Sequence, residues 1–181
     1  MDLGFIIDSS ASFKQHFTLE KEFVKRVGRH FRLGKYKTRT ALIAYSDSIE
    51  TVSRLSDFHS EGEFVQAVDS VPFIGSTSRL DTALLESNKR MFTVKDGGRG
   101  GVKQILVVLT DGVPSSDDAF RVAERIRGQD VHVVVIAVGD SIKDGSLDAL
   151  GDQVFYIDDY KELGSIEFTT KIMNAITVQG E

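Results

Sequence analysis

Residues 105–109 and 131–138 are apolar almost without a break, and neither run alternates apolar with polar side chains. A strand with one face in water alternates, so strands of this kind are covered on both faces, as in a parallel sheet flanked by helices. Both runs fall far short of the ~20 apolar residues that a membrane-spanning helix needs. The rest of the chain supplies the covering. Residues 17–31 carry Phe17, Leu19, Phe23, Val24, Val27 and Phe31 at helical spacing, with basic residues between them.

The remaining segments continue the alternation of strand and helix. Residues 3–7 form a short apolar strand that runs into Asp8-Ser9-Ser10. Residues 39–45 and 49–55 are β-rich and joined by Ser46-Asp47-Ser48, which suits a hairpin. A short helix is expected at 61–68. A second long helix is marked by Leu80, Leu84, Leu85 and Met91 and ends in the glycine-rich residues 96–101. Strand 104–109 leads to helix 117–127, capped by Ser115, Ser116 or Asp117. Strand 131–138, a short helix at 146–150, strand 154–157 and a last helix at 160–176 complete the series. The pattern predicts an α/β fold: a doubly wound, mostly parallel six-stranded sheet with one antiparallel edge strand and helices on both faces. In such sheets ligands bind beyond the carboxyl ends of the strands, where the strand order reverses.

The 181 residues, 41% of them hydrophobic, suffice for one core, and residues 1–181 read as one domain cut from a longer protein. No secretion signal is visible at the start. There is no cysteine, which excludes disulfides, thiolate metal sites and cysteine nucleophiles. The 22 basic and 27 acidic side chains leave a net charge of −5. That balance speaks against nucleic acid and anionic membranes as partners.

Asp8, Ser10 and Ser12 form a D-x-S-x-S sequence just after the first strand, and Asp111 follows the central strand in Thr110-Asp111-Gly112. Carboxylate and hydroxyl oxygens are hard ligands, suited to Mg²⁺, Mn²⁺ or Ca²⁺ rather than to zinc or copper. Taken alone, D-x-S-x-S reads as a turn or a helix cap rather than as a metal site. Two loops that converge on one crevice shift the balance toward an ion.

Three segments carry a family resemblance: Phe5-Ile6-Ile7-Asp8-Ser9-Ser10-Ala11-Ser12, Gly75-Ser76-Thr77-Ser78-Arg79-Leu80-Asp81 and Val107-Val108-Leu109-Thr110-Asp111-Gly112. Together they resemble the von Willebrand factor type A domain, and Ala137-Val138-Gly139 and Tyr156-Ile157-Asp158-Asp159-Tyr160 extend the likeness along the chain. The resemblance implies a metal-ion-dependent adhesion site (MIDAS) holding Mg²⁺, with Mn²⁺ or Ca²⁺ as alternatives. Asp8, Ser10, Ser12 and Asp111 match its ligands. A middle hydroxyl completes the set: Ser78 has the register set by Ala83-Leu84, whereas Thr77 has the usual side chain one residue away. Two carboxylates then leave the ion open to an acidic residue of a partner.

The resemblance further implies an extracellular adhesion module, secreted or part of an ectodomain, with a protein partner that presents a carboxylate, such as collagen. Residues between Gly139 and Leu147 leave no room for the extra helix of collagen-binding integrin domains. It also raises a metal-independent structural or self-associating matrix unit as a rival. A Mg²⁺-dependent phosphoryl-transfer enzyme is a third reading, but the chain lacks a G-x-x-x-x-G-K-[ST] loop and has Ser10 where a second carboxylate is usual. Arg79 reads as an exposed arginine at a helix start and Asp81 as a helix cap. Asp47, Asp117 and Asp118 read as solvated loop residues, and His16, His30, His59 and His132 as scattered residues without a base role.

Overall fold

The computed structural model describes residues 1–57 and 60–178; His59 lies outside them. The elements are β1 (Asp2–Asp8), α1 (Phe17–Arg29), β2 (Arg39–Tyr45), β3 (Ile49–Ser53), α2 (Glu61–Asp69), α3 (Leu80–Glu86), β4 (Gln104–Thr110), α4 (Asp118–Arg127), β5 (Val131–Val138), β6 (Gln153–Ile157) and α5 (Ile166–Thr177). Among the described residues the strands form one six-stranded sheet in the order β3-β2-β1-β4-β5-β6. Five strands are parallel, and β3 pairs antiparallel with β2 at one edge. The chain winds outward from β1 in one direction and from β4 in the other, so the strand order reverses between them.

The lack of alternation in the central strands follows from two cores, one on each face. Leu3, Phe5 and Ile7 of β1 and Ile105, Val107 and Leu109 of β4 pack with α1, α2 and α5. Ile6, Leu106 and Val108 point to the other face, against α3 and α4. Every one of these side chains is at most 1% exposed. Each therefore contributes roughly 1.5–3 kcal/mol of burial. Gly4 stands where a Cβ would meet the Met91 sulfur, which lets the segment after α3 lie on the middle of β1.

Several helix boundaries differ from the sequence expectation. The last helix is two pieces: a 3₁₀ turn, Tyr160–Gly164, and α5, which starts at Ile166. Ser165 separates them, with extended backbone and a side chain that caps Phe168 N–H. Tyr160 and Leu163 stand three apart and Phe168 and Ile172 four apart, and the step of five between Leu163 and Phe168 falls at the break. The second long helix is seven α-helical residues, α3, followed by a π-helical turn, Ser87–Met91. Strand β3 stops at Ser53 because Leu55–Asp57 turns as 3₁₀ and buries Leu55. The short helix at 146–150 is a 3₁₀ turn, Asp148–Leu150. Asp117 is the N-cap residue of α4 but makes no side-chain cap bond. Asp81 is not a cap either: Arg79 is the N-cap residue of α3, and Asp81 lies within its first turn.

Candidate metal centre

Asp8 is the last residue of β1 and Asp111 follows the last residue of β4, so both carboxylates stand at the carboxyl ends of the two strands that flank the reversal. Asp8 is fully buried, and Asp111 is partly exposed. Asp8 Oδ1 accepts the Ser10 N–H at 2.9 Å, which folds the D-x-S-x-S loop back over the strand end. Its Oδ2 accepts the Tyr45 hydroxyl at 2.9 Å, and the Ser78 hydroxyl lies 3.4 Å from the same oxygen. Tyr45 is the register partner of Asp8 on β2.

Ser10 occupies the N-cap position of a 3₁₀ turn, Ala11–Phe13, yet its hydroxyl does not cap that turn. It lies 3.0 Å from the Ser12 hydroxyl instead. Two ligands in neighbouring positions of an octahedron with metal–oxygen distances of ~2.1 Å are about 3.0 Å apart. The hydrogen-bonded hydroxyl pair thus has a spacing that neighbouring ligands of a hard divalent cation also have. Among the described residues no three His, Asp or Glu side chains group into a metal cage. The candidate donor set is two carboxylates completed by neutral hydroxyls.

The middle loop is fastened to this site by main-chain bonds. Gly75 N–H donates to Ser9 O at 2.8 Å and Ala11 N–H to Ser76 O at 2.9 Å. Ser9 Oγ donates to Pro72 O and accepts from Ile74 N–H. Gly75 has φ +76, a conformation that favours glycine, and a Cβ there would meet the Phe73 ring at 2.8 Å. Ser46 Oγ holds the other end of the loop, donating to Thr77 O at 2.9 Å and accepting from Ser76 N–H at 3.1 Å. The loop thus brings the Ser78 hydroxyl toward Asp8, while its bond with Ser46 uses the carbonyl of Thr77. Both residues are exposed.

Burial above all, together with the Asp111 charge, pushes Asp8 up to about 6 from 3.8, although hydrogen bonds from Ser10 and Tyr45 oppose the shift. The Asp111 charge acting on the buried Asp8 carboxyl marks a site of negative potential suited to a cation. Beneath them Glu20 of α1 is fully buried and accepts the Asp8 N–H at 2.9 Å through Oε1. Its Oε2 has no hydrogen-bond partner among the described residues. Burial first, and then Asp8 and Asp111, hold its carboxyl well above the usual range.

On the far side, Tyr160 donates to Asp111 Oδ2 at 3.1 Å, stacks on His16 with ring centroids 4.1 Å apart and meets the Phe13 ring edge-on. Tyr45, Glu20, Ser9, Ser46 and Tyr160 were not expected at the site from sequence. Glu20 had a legible signal, because it lies at i+3 from Phe17 and i−3 from Phe23 on the apolar face of α1. Tyr45 ends a strand that is otherwise apolar after Thr40.

The neighbouring charges are used locally. Arg79 Nε and Nη2 donate to the two oxygens of Asp81, each at 3.2 Å. Asp118 pairs with Arg121 at 3.1 Å. His132 lies on β5, with Nδ1 3.3 Å from Asp152. The exposed side chains Phe73 and Val113 belong to the same two loops as Ser78 and Asp111.

Comparison with known proteins places the chain in a family. The family model of the von Willebrand factor type A domain matches residues 2–169. The chain is 31% identical over 170 residues to von Willebrand factor A domain-containing protein 2 of Xenopus laevis, covering 92% of this chain and 21% of that protein. It is 29% identical over 168 residues to Matrilin-3 of Mus musculus, covering 88% of this chain and 35% of that protein. These curated relatives are thus several times longer than the matched segment. Among solved structures, proximal thread matrix protein 1 from the mussel byssus superposes with a TM-score of 0.88 at 18% identity, over 96% of this chain and 46% of that one. Another structure of that mussel protein, with a TM-score of 0.87, has zinc in its MIDAS motif. The match over nearly the whole length means that this chain belongs to the von Willebrand factor type A domain family.

Proposed function

We propose that this chain is a divalent-metal-dependent adhesion module that binds an acidic residue of a protein partner. The observation that carries this reading is the convergence of Asp8 and Asp111 with the hydroxyl pair of Ser10 and Ser12, 3.0 Å apart, at the reversal of strand order. Asp8, Ser10, Ser12, Ser78 and Asp111 would hold the ion, with Mg²⁺ the best match to an all-oxygen set and Mn²⁺ or Ca²⁺ also suited. Thr77 is the alternative to Ser78. A bound ion supplies Lewis acidity and positive charge for an incoming carboxylate.

The chain's own residues set how that carboxylate is received. Only two ligands are charged, so the site does not neutralise a divalent ion beyond zero. Tyr45 and Ser10 fix the Asp8 carboxylate from behind, and Tyr160 fixes Asp111. Phe73 and Val113, both exposed in the ligand-bearing loops, offer apolar contact to residues that flank the acidic one. The names of two relatives, Matrilin-3 and the Collagen alpha-5(VI) chain, support an extracellular matrix setting, with a matrix protein such as collagen as the partner. This is a binding role rather than an enzymatic one.

The test is calorimetric titration of chelator-treated protein with Mg²⁺, Mn²⁺ and Ca²⁺, beside Asp8→Ala and Asp111→Ala. One site in the parent, lost in both variants while circular dichroism keeps Asp111→Ala folded, is the expected result. Parent-like binding in Asp111→Ala would remove the two-loop site.

A further inference from the structure

We propose that the end of the sheet opposite the candidate metal centre is a binding surface for a sulfated glycosaminoglycan. Strands β1 and β2 are each seven residues long, which separates their two ends by about 20 Å. Arg54, Lys89, Arg90 and Lys95 line an open cleft of about 560 Å³ at the far end, together with the hydroxyl residues Ser56 and Thr93. Asp96 is the one carboxylate among its lining residues.

Of the acids near these cations, Asp96, Glu86 and Asp2 are in ion pairs, and Asp57, exposed beside Ser56, accepts the Arg54 main-chain N–H at 2.8 Å. Asp96 pairs with Arg54 at 3.2 Å, accepts the Thr93 hydroxyl and has a side chain only 13% exposed. Glu86 pairs with Arg90 at 3.1 Å. Asp2 is fully buried and gripped by Arg99. Lys89 and Lys95 are exposed and form no ion pair among the described residues. The net charge of −5 therefore averages over two unlike ends, an acidic one around Asp8 and Asp111 and a basic one here.

A second basic segment adjoins the cleft. Arg39 donates to Gly97 O at 2.7 Å and Arg99 to Lys37 O at 2.8 Å, which ties the loop Lys35-Tyr36-Lys37 to the turn after Lys95. That turn has a fixed shape. Gly97 has φ +98, and a Cβ there would approach Ser56 N to 2.2 Å.

The kind of cation selects the partner. The arginine forks of Arg54 and Arg90 are turned to carboxylates, which leaves the lysines as compact, rotatable point charges. Such charges suit a flexible chain of repeated anions better than one carboxylate that needs a bidentate fork. No aromatic side chain lines the cleft itself, and the adjoining segment offers one exposed ring, Tyr36, with Lys35 Nζ 5.3 Å from its centroid. A single ring is not a row of stacking platforms, which favours a sulfated sugar over single-stranded nucleic acid. Because the field is screened within roughly 8 Å at physiological salt, binding depends on direct lysine contacts.

The experiment titrates the protein with a heparin-derived oligosaccharide in EDTA at about 0.05 and 0.15 M NaCl, beside Lys89→Ala/Lys95→Ala and Asp111→Ala. The proposal expects binding that weakens with salt, drops about tenfold in the double lysine variant and is unchanged in Asp111→Ala. No binding at the higher salt, or equal binding by the double variant, would overturn it. So would equal binding of an unsulfated chain of the same length, or tighter binding of single-stranded DNA. A salt-sensitive self-association that disappears in the double variant would instead assign the surface to a second copy of the chain.

Discussion

The Tyr160 hydroxyl donates to Asp111 Oδ2 at 3.1 Å, and so joins a candidate ligand at the end of β4 to the 3₁₀ turn that leads into α5. Burial, and then the Asp111 charge, raise the Tyr160 hydroxyl above its usual range, which keeps the proton on the donor. Its ring is held independently, by His16 and Phe13. The carboxylate is thus oriented from a packed aromatic cluster outside its own loop.

Tyr160→Phe separates these two roles, because it keeps the ring and removes the donor. A hydrogen bond to a charged group contributes about 1.5–3 kcal/mol, so urea unfolding of the metal-free variant should show a loss of that order with an unchanged m-value. Losing an orienting partner of a ligand costs about tenfold in metal affinity. A variant as stable as the parent and equal to it in Mg²⁺ titration would show that Asp111 is positioned by something else.

The sheet was legible because residues 105–109 and 131–138 must be buried on both faces, and the two aspartates were legible because they end strands of that kind. The missing parts are of two sorts. Ser165 breaks the last helix with a local cap, whose only trace in the apolar pattern is the single step of five from Leu163 to Phe168. Tyr45, Ser9 and Ser46 reach the site through register and loop contacts across more than thirty residues, as in the bond from Tyr45 to Asp8 with a separation of 37. A single sequence carries no direct record of such pairings. The basic far end escaped notice for a similar reason, since Arg54 and Lys95 meet only in the fold.

Ser78 and Thr77 are distinguished by substitution to alanine. Ser78 Oγ lies 3.4 Å from Asp8 Oδ2, whereas the Ser46 bond on this loop engages the Thr77 carbonyl, which alanine preserves. Ser78→Ala should weaken Mg²⁺ binding about tenfold or more, the loss of one oxygen ligand, and Thr77→Ala by less than about twofold. The reverse order in calorimetric titration would transfer the middle ligand to Thr77.

Arg99 is the counter-ion of a carboxylate with no exposure to water. Its main-chain N–H and guanidinium reach both oxygens of Asp2, and the same guanidinium bonds Met1 O and Lys37 O. Arg99→Ala leaves that charge buried and alone, a change that costs about 3–5 kcal/mol. Urea unfolding should show a lower midpoint of corresponding size. In Asp2→Asn/Arg99→Ala the penalty should shrink, because no buried charge remains. Equal losses in the single and double variants would mean that the ion pair is not the source of the effect.

Acidity gives the last prediction. Asp8 is pushed up to about 6, chiefly by burial, and returns to 3.8 when the chain unfolds. Between those values the folded chain binds a proton that the unfolded chain has released. Stability of the metal-free protein therefore falls as pH rises from about 4 to about 6, by up to roughly 3 kcal/mol from this group. Glu20, also raised, acts in the same sense. Asp69 and Asp81, lowered by hydrogen bonds from Lys25 and Arg79, act oppositely, but their stabilisation is lost only as pH falls below the ordinary carboxylate value of 3.8. Urea unfolding in EDTA across this window should thus give a falling curve for the parent and a shallower one for Asp8→Asn. Saturating Mg²⁺ should flatten the parent curve, since an ion held by Asp8 competes with its proton. A parent curve that rises with pH, or an Asp8→Asn curve of the same slope, would show that Asp8 does not carry the proton.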